Sequence, residues 1–97
     1  MTEYGLATEA TDSPYYNPDG YWRGPIWGPT MVLFIEGLEE CGEVEFAKEL
    51  TEKFCKLVKK SGCAENFNAI TGDPLCDKAY TWTASSFIHL CEKMNKY

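Results

Sequence analysis

Between Met1 and Gly28 the chain sets Gly5, Pro14, Asn17-Pro18-Asp19-Gly20 and Gly24-Pro25 so close together that no helix of useful length fits among them. Residues 1–28 are therefore expected to form an extended, turn-rich lead. In a chain of 97 residues this is a long stretch to leave without regular structure. Loops of that length usually carry function or belong to a larger frame.

From Pro29 the pattern changes. Met31, Val32, Leu33, Phe34, Ile35, Leu38 and Cys41 are apolar nearly all round a helix, with Pro29 suited to its first turn and Gly42 to its stop. Such a helix is expected to be buried on most sides. Residues 43–60 instead place Ala47, Leu50, Phe54, Leu57 and Val58 on one face. The other face carries the i,i+4 pairs Lys48/Glu52, Glu49/Lys53 and Glu52/Lys56, the pattern of a half-exposed outer helix that ends at Gly62. Residues 63–81 read as a loop with a turn over 71–74. A third helix is expected from about Thr83, with Ala84, Phe87, Ile88, Cys91 and Met94 on its apolar stripe and Ser85, His89, Glu92 and Lys96 opposite. The chain is thus expected to be all-α over 29–97, with helices separated by one loop. A buried helix followed by an amphipathic one is the unit of a two-layer toroid, in which outer helices cover inner ones and rim loops build the site.

The net charge of −6 argues against nucleic acid or an anionic membrane as partner, and no apolar run is long enough to span a bilayer. Met1–Ala10 lacks the basic start and apolar stretch of a secretory signal, so a cytoplasmic location is expected. Cys41, Cys55, Cys63, Cys76 and Cys91 are odd in number and contain no C-x-x-C pair, which suits neither a full disulfide framework nor a zinc cage. Buried free thiols are the expectation. No His/Asp/Glu set at ligand spacing is visible, and neither a metal nor a cofactor is called for.

The chemistry gathers in Tyr21-Trp22-Arg23-Gly24-Pro25-Ile26-Trp27-Gly28-Pro29. Flat aromatic faces cover the C–H faces of a pyranose, and a guanidinium donates paired hydrogen bonds to hydroxyls or a carboxylate. Glycine and proline hold both on a rigid loop. Tyr21, Trp22, Arg23, Gly24 and Trp27 are therefore candidate substrate-binding residues, joined by Phe67 and by Trp82 at a loop-to-helix junction. Glu65, in Cys63-Ala64-Glu65-Asn66-Phe67-Asn68, is a loop carboxylate beside this wall and a candidate general base for activating water. The plainer alternative is a Glu that caps a helix end or pairs with Arg23. Asp12, Asp19, Asp73 and Asp77 lie in turn-like contexts where capping or solvation explains them, and His89 falls on a solvated stripe.

Taken in order, Gly5-Leu6-Ala7-Thr8-Glu9, Tyr21 through Pro29, Glu65-Asn66-Phe67-Asn68 with Thr71-Gly72, and Thr81-Trp82-Thr83-Ala84 resemble the C-terminal part of the glucosidase, trehalase and amylo-α-1,6-glucosidase-like enzymes. The nearest resemblance is to glycoside hydrolase family 63. The resemblance covers almost the whole chain. It implies the C-terminal helical segment of an (α/α)6 toroid belonging to an inverting α-glycosidase, of α-glucosidase type. Glu65 then matches the general base, and Trp22, Arg23, Gly24, Trp27 and Trp82 match positions that line the sugar subsite. The family's catalytic acid, an Asp, lies upstream of these motifs and has no counterpart here. The implied partners are an oligosaccharide or α-glucoside and the remainder of the catalytic domain, and the isolated chain is expected to be inactive. Cys63-Ala64 before the Glu and Asp73-Pro74-Leu75-Cys76 after the turn depart from the usual pattern. The alternative reading is a non-catalytic helical module that binds a saccharide or a protein.

Overall fold

A computed structural model describes all residues, Met1–Tyr97. In chain order it contains α1 (Gly28–Glu40), α2 (Val44–Ser61), β1 (Asn66–Phe67), β2 (Pro74–Leu75) and α3 (Thr81–Met94). The three helices pack pairwise around one core, where Ile26, Met31, Ile35, Leu50, Phe54, Leu57, Phe67 and Leu90 are almost fully buried. Each such side chain contributes about 1.5–3 kcal/mol by leaving water.

The lead has no helix, as its breakers require. Turns fix it instead: Tyr16 N–H donates to Ser13 O at 3.1 Å, Asn17 N–H to Arg23 O at 2.8 Å and Gly20 N–H to Asn17 O at 3.0 Å. Gly24 is confined by a close approach, since a Cβ there would stand 2.2 Å from Asn17 O. The Thr8 hydroxyl ties the two arms of the lead together, donating to Pro25 O at 2.8 Å and accepting from Gly24 N–H at 3.1 Å.

Pro29 sits in the first turn of α1, where a missing N–H costs nothing, and Gly42 follows its end with φ +85°. Only one side of α1 is covered, however. Met31 and Ile35 are buried, while Leu33 is 70% and Phe34 51% exposed, because α2 and α3 are the only helices this chain supplies as cover. α2 buries all five of its expected apolar positions and stops at Gly62 with φ +82°. Of its three expected charge pairs, Glu49–Lys53 closes, at 3.4 Å.

α3 departs from its expected face. It begins at Thr81, two residues early, and the residues it buries most are Thr83, Ser86 and Leu90, with Ile88 61% exposed. Short hydroxyl residues win these positions because they permit close helix contact and their polar atoms find backbone acceptors. The Thr83 hydroxyl donates to Ala64 O at 2.6 Å and the Ser86 hydroxyl to Trp82 O at 2.8 Å. A Cβ on Gly28 of α1 would lie 3.0 Å from the Ser86 side chain. The expectation of buried thiols holds for Cys55 alone. Cys41 stands at the open end of α1 and Cys76 on a left-handed bend at φ +62°, both exposed, and Cys63 and Cys91 are half-buried. No helix is long and apolar enough to cross a membrane.

The expected loop between α2 and α3 contains a small antiparallel pair, with Asn66 opposite Leu75 and Phe67 opposite Pro74. A second bridge matters more for the site. Ile26 N–H donates to Phe67 O at 2.8 Å and Phe67 N–H to Ile26 O at 3.0 Å, stitching the aromatic lead to the loop that carries Glu65.

Candidate active site

That stitch brings Tyr21, which packs against Trp22 and Trp27, to Glu65 across 44 residues of chain. Tyr21 adopts φ +63°, uncommon for a residue with a Cβ, and its hydroxyl donates to Glu65 Oε2. The same backbone geometry turns Tyr21 O toward Trp27, whose indole N–H donates to it at 2.9 Å. The bond to Glu65 pushes the Tyr21 phenol up to about 12, with loss of hydration and the nearby negative charge adding to it.

The three rings form one block. Trp22 and Trp27 stack with centroids 3.9 Å apart and planes 11° apart, and Tyr21 meets Trp27 edge-on at 4.6 Å. Trp27 is 1% exposed, so it serves as the buried support of the wall, whereas Trp22 is 51% exposed and presents a free indole surface. Gly24 is buried against Asn17 and Tyr16 and acts through the backbone approach described above.

Glu65 is half-buried and held at both ends of its own residue. Its N–H donates to Asp77 O at 2.7 Å, and Asp77 N–H approaches its Oε1 at 3.5 Å. Cys63 O just before it accepts from Tyr80 N–H at 2.8 Å, and Ala64 O from the buried Thr83 hydroxyl. The backbone on either side of Glu65 is thus fixed, and its two carboxylate oxygens face Tyr21 OH and Asp77 N–H. The Glu65–Arg23 pairing considered from sequence does not form; Glu65 pairs with Tyr21, and Arg23 is exposed with its guanidinium in no ion pair. Asp77 behaves as a turn residue, its Oδ1 accepting from Ala79 N–H at 2.9 Å.

Two expected substrate-binding residues stand elsewhere. Phe67 is 0% exposed and packs edge-on against Phe54 at 6.2 Å, so as the partner of Ile26 it anchors the loop and has no surface to offer a sugar. Trp82 is 54% exposed and lines a groove of about 480 Å³ between α1 and α3 with Pro29, Val32, Leu33, Ser85 and His89. Neither Glu65 nor Tyr21 lines that groove. His89 is exposed as expected, 3.1 Å from Glu36.

Two residues at the site escaped the sequence reading. Thr83 supports the carbonyl next to Glu65, and Asn66 is fully buried with its Nδ2 3.8 Å from Cys76 Sγ and its Oδ1 unpaired. Both lie within the quoted motifs, but a buried hydroxyl or amide has no periodic signature. No group of three or more His, Cys, Asp or Glu side chains is arranged to hold a metal ion.

The profile of the mannosylglycerate hydrolase MGH1-like glycoside hydrolase domain matches residues 1–83. The chain belongs to that family. A mannosylglycerate hydrolase of Thermus thermophilus is 28% identical over 82 residues, which are 84% of this chain and 20% of that protein. A glucosylglycerate hydrolase of Mycolicibacterium hassiacum is 30% identical over 87 residues, 89% of this chain and 20% of that protein. The crystal structure of the family 63 mannosylglycerate hydrolase of Thermus thermophilus in complex with glucose superposes with a TM-score of 0.84 at 25% identity, covering 96% of this chain and 23% of the other. The fold is accordingly a helical segment of the family 63 toroid, and the chain spans about a fifth of the length of the curated relatives it matches. The family it belongs to is one of glycoside hydrolase domains.

Proposed function

We propose that this chain supplies the general base and one aromatic wall of an inverting α-glycosidase. Glu65 deprotonates the water that attacks the anomeric carbon, and Trp22 covers one face of the sugar ring. Trp27 and Gly24 support that wall, Tyr21 fixes the carboxylate, and Arg23 is free to meet hydroxyls or a carboxylate of the substrate. The observation that carries the proposal is the contact of the Glu65 carboxylate with Tyr21, itself packed on the two stacked indoles.

The substrate class follows from the relatives' names together with Arg23. An α-glucoside remains the core assignment, and a hexose linked to glycerate fits better than a purely neutral oligosaccharide, because the unpaired guanidinium suits the glycerate carboxylate. Inversion requires a second carboxyl group roughly 6.5–9.5 Å from the base. None of the turn carboxylates here is suited to that role, so the acid comes from the remainder of the catalytic domain and the 97-residue chain alone is inactive.

The test replaces the matching segment of the Thermus thermophilus mannosylglycerate hydrolase with this chain and measures hydrolysis of mannosylglycerate and glucosylglycerate. Glu65→Gln in that hybrid is expected to lower kcat by about 10²–10⁴-fold with little change in KM. The product formed first should have the inverted anomeric configuration. Near-normal turnover of Glu65→Gln would remove the base assignment. A folded hybrid that binds the sugar without any turnover would favour the non-catalytic module.

A further inference from the structure

Away from the aromatic wall, α2 and α3 bring two thiols together. Cys55 Sγ and Cys91 Sγ lie 3.7 Å apart, the only thiol–thiol contact among the five cysteines. Cys55 is 7% exposed and Cys91 half-buried. Both border a surface groove of about 280 Å³ shared with Lys56, Lys59 and Met94, so a small reagent from solvent reaches the pair. The remaining gap to an S–S bond of about 2.05 Å is within reach of side-chain rotation.

We propose that Cys55 and Cys91 form a redox-active dithiol that a hydroperoxide converts to an intramolecular disulfide, stapling α2 to α3. The Cys91 thiolate attacks one oxygen of hydrogen peroxide. The O–O bond breaks, leaving a sulfenic acid on Cys91 and a hydroxide that takes up a proton as water. Cys55 sulfur then displaces the sulfenic hydroxyl, forming the S–S bond, and the Cys55 proton leaves with that hydroxyl as a second water. Two thiols and one peroxide yield one disulfide and two waters, with two electrons passing from sulfur to oxygen. A dithiol reductant reverses the change.

The order of events follows from the surroundings. Burial, and then the hydrogen bond with Cys91, push the Cys55 thiol up to about 12, so Cys55 keeps its proton, while Cys91 is the more exposed sulfur and the one a reagent in the groove meets first. Lys56, Lys59 and Glu52 line the same groove as the two sulfurs. The loop that the disulfide closes contains Glu65 and the Thr83–Ala64 bond that supports it, so oxidation stiffens the frame from which the carboxylate hangs. The proposal does not depend on the glycosidase reading.

The experiment treats the full chain with hydrogen peroxide, blocks remaining thiols with N-ethylmaleimide and maps the unreduced digest by mass spectrometry. The expected result is a single cross-link between Cys55 and Cys91, reversed by dithiothreitol, and a rise in Tm of about 10 °C or more. Cys91→Ala, at a half-buried position, should fold by circular dichroism and lose the cross-link. A chain carrying Cys41→Ser and Cys76→Ser should keep it. The same treatment in urea supplies the pairing pattern of a chain without structure. Maleimide on both Cys55 and Cys91 after peroxide, or cross-links spread over all five cysteines as they are in urea, would overturn the proposal.

Discussion

The hydroxyl of Thr83 is the buried group that holds the carbonyl next to Glu65, and its removal can be sized from the structure. Thr83 and Ala64 are both 0% exposed, and the hydroxyl meets Ala64 O at 2.6 Å across nineteen residues of chain. Valine fills nearly the same volume as threonine, so Thr83→Val leaves packing intact and strips a buried carbonyl of its donor. An unsatisfied buried acceptor costs about 1–3 kcal/mol. In a chain of this size each kcal/mol lowers Tm by roughly 4–8 °C. Thr83→Ser keeps the donor and loses one methyl group, about 0.8 kcal/mol. Urea unfolding followed by circular dichroism should therefore rank wild type above Thr83→Ser above Thr83→Val, with the slope m unchanged. In the hybrid enzyme the valine variant should lose kcat more than KM, because the carboxylate is displaced while the sugar wall stays. A valine variant as stable as wild type, or one less damaging than serine, would refute the claim that this bond holds the loop.

The Tyr21 phenol is neutral in its bond to Glu65, so the stability it contributes is complete below its ordinary value of 10.0 and is lost as pH rises through about 12. Burial raises Tyr16 and Tyr97 as well, so phenolate absorbance should show Tyr21 among the late-titrating tyrosines, and Glu65→Gln should return Tyr21 alone toward the ordinary value. Gly24→Ala forces a Cβ against Asn17 O, a backbone atom that cannot rotate away. A loss of about 1–3 kcal/mol is expected in urea unfolding, with a weakened near-ultraviolet dichroism signal from the stacked indoles. At the far end, Lys93 donates to Glu39 at 2.6 Å and holds that carboxyl below the ordinary glutamate range, with Tyr97 assisting. The resulting stability is present above the unfolded-state pKa and lost as pH falls through the lowered folded one, so Glu39→Gln should flatten the acid limb of the stability–pH curve.

Much of the fold was legible because it rests on spacing. The breakers before Gly28 excluded a helix, the 3.6-residue period of Ala47, Leu50, Phe54, Leu57 and Val58 gave α2 its buried face, and Gly42 and Gly62 marked helix ends. The same logic failed on α3, where hydrophobicity named Ile88 but contact geometry chose Thr83 and Ser86. It also failed on the thiols, since the character of a cysteine does not say whether its position faces a partner. At the site, the residue types of Tyr21, Trp22, Trp27 and Glu65 were what led to the proposal of sugar chemistry. Their division of labour was invisible. Trp22 open, Trp27 buried and Phe67 committed to the core are outcomes of where the Ile26–Phe67 bridge brings the two segments together.

Local rules of backbone and period therefore determined where helices begin and end, and side-chain chemistry determined which family this chain resembles. The meeting of Tyr21 with Glu65, of Thr83 with Ala64 and of Cys55 with Cys91 was decided only by tertiary structure. The reason is physical. Each of these contacts joins residues far apart in the chain through packing of the elements between them, and no property of either residue alone encodes that distance.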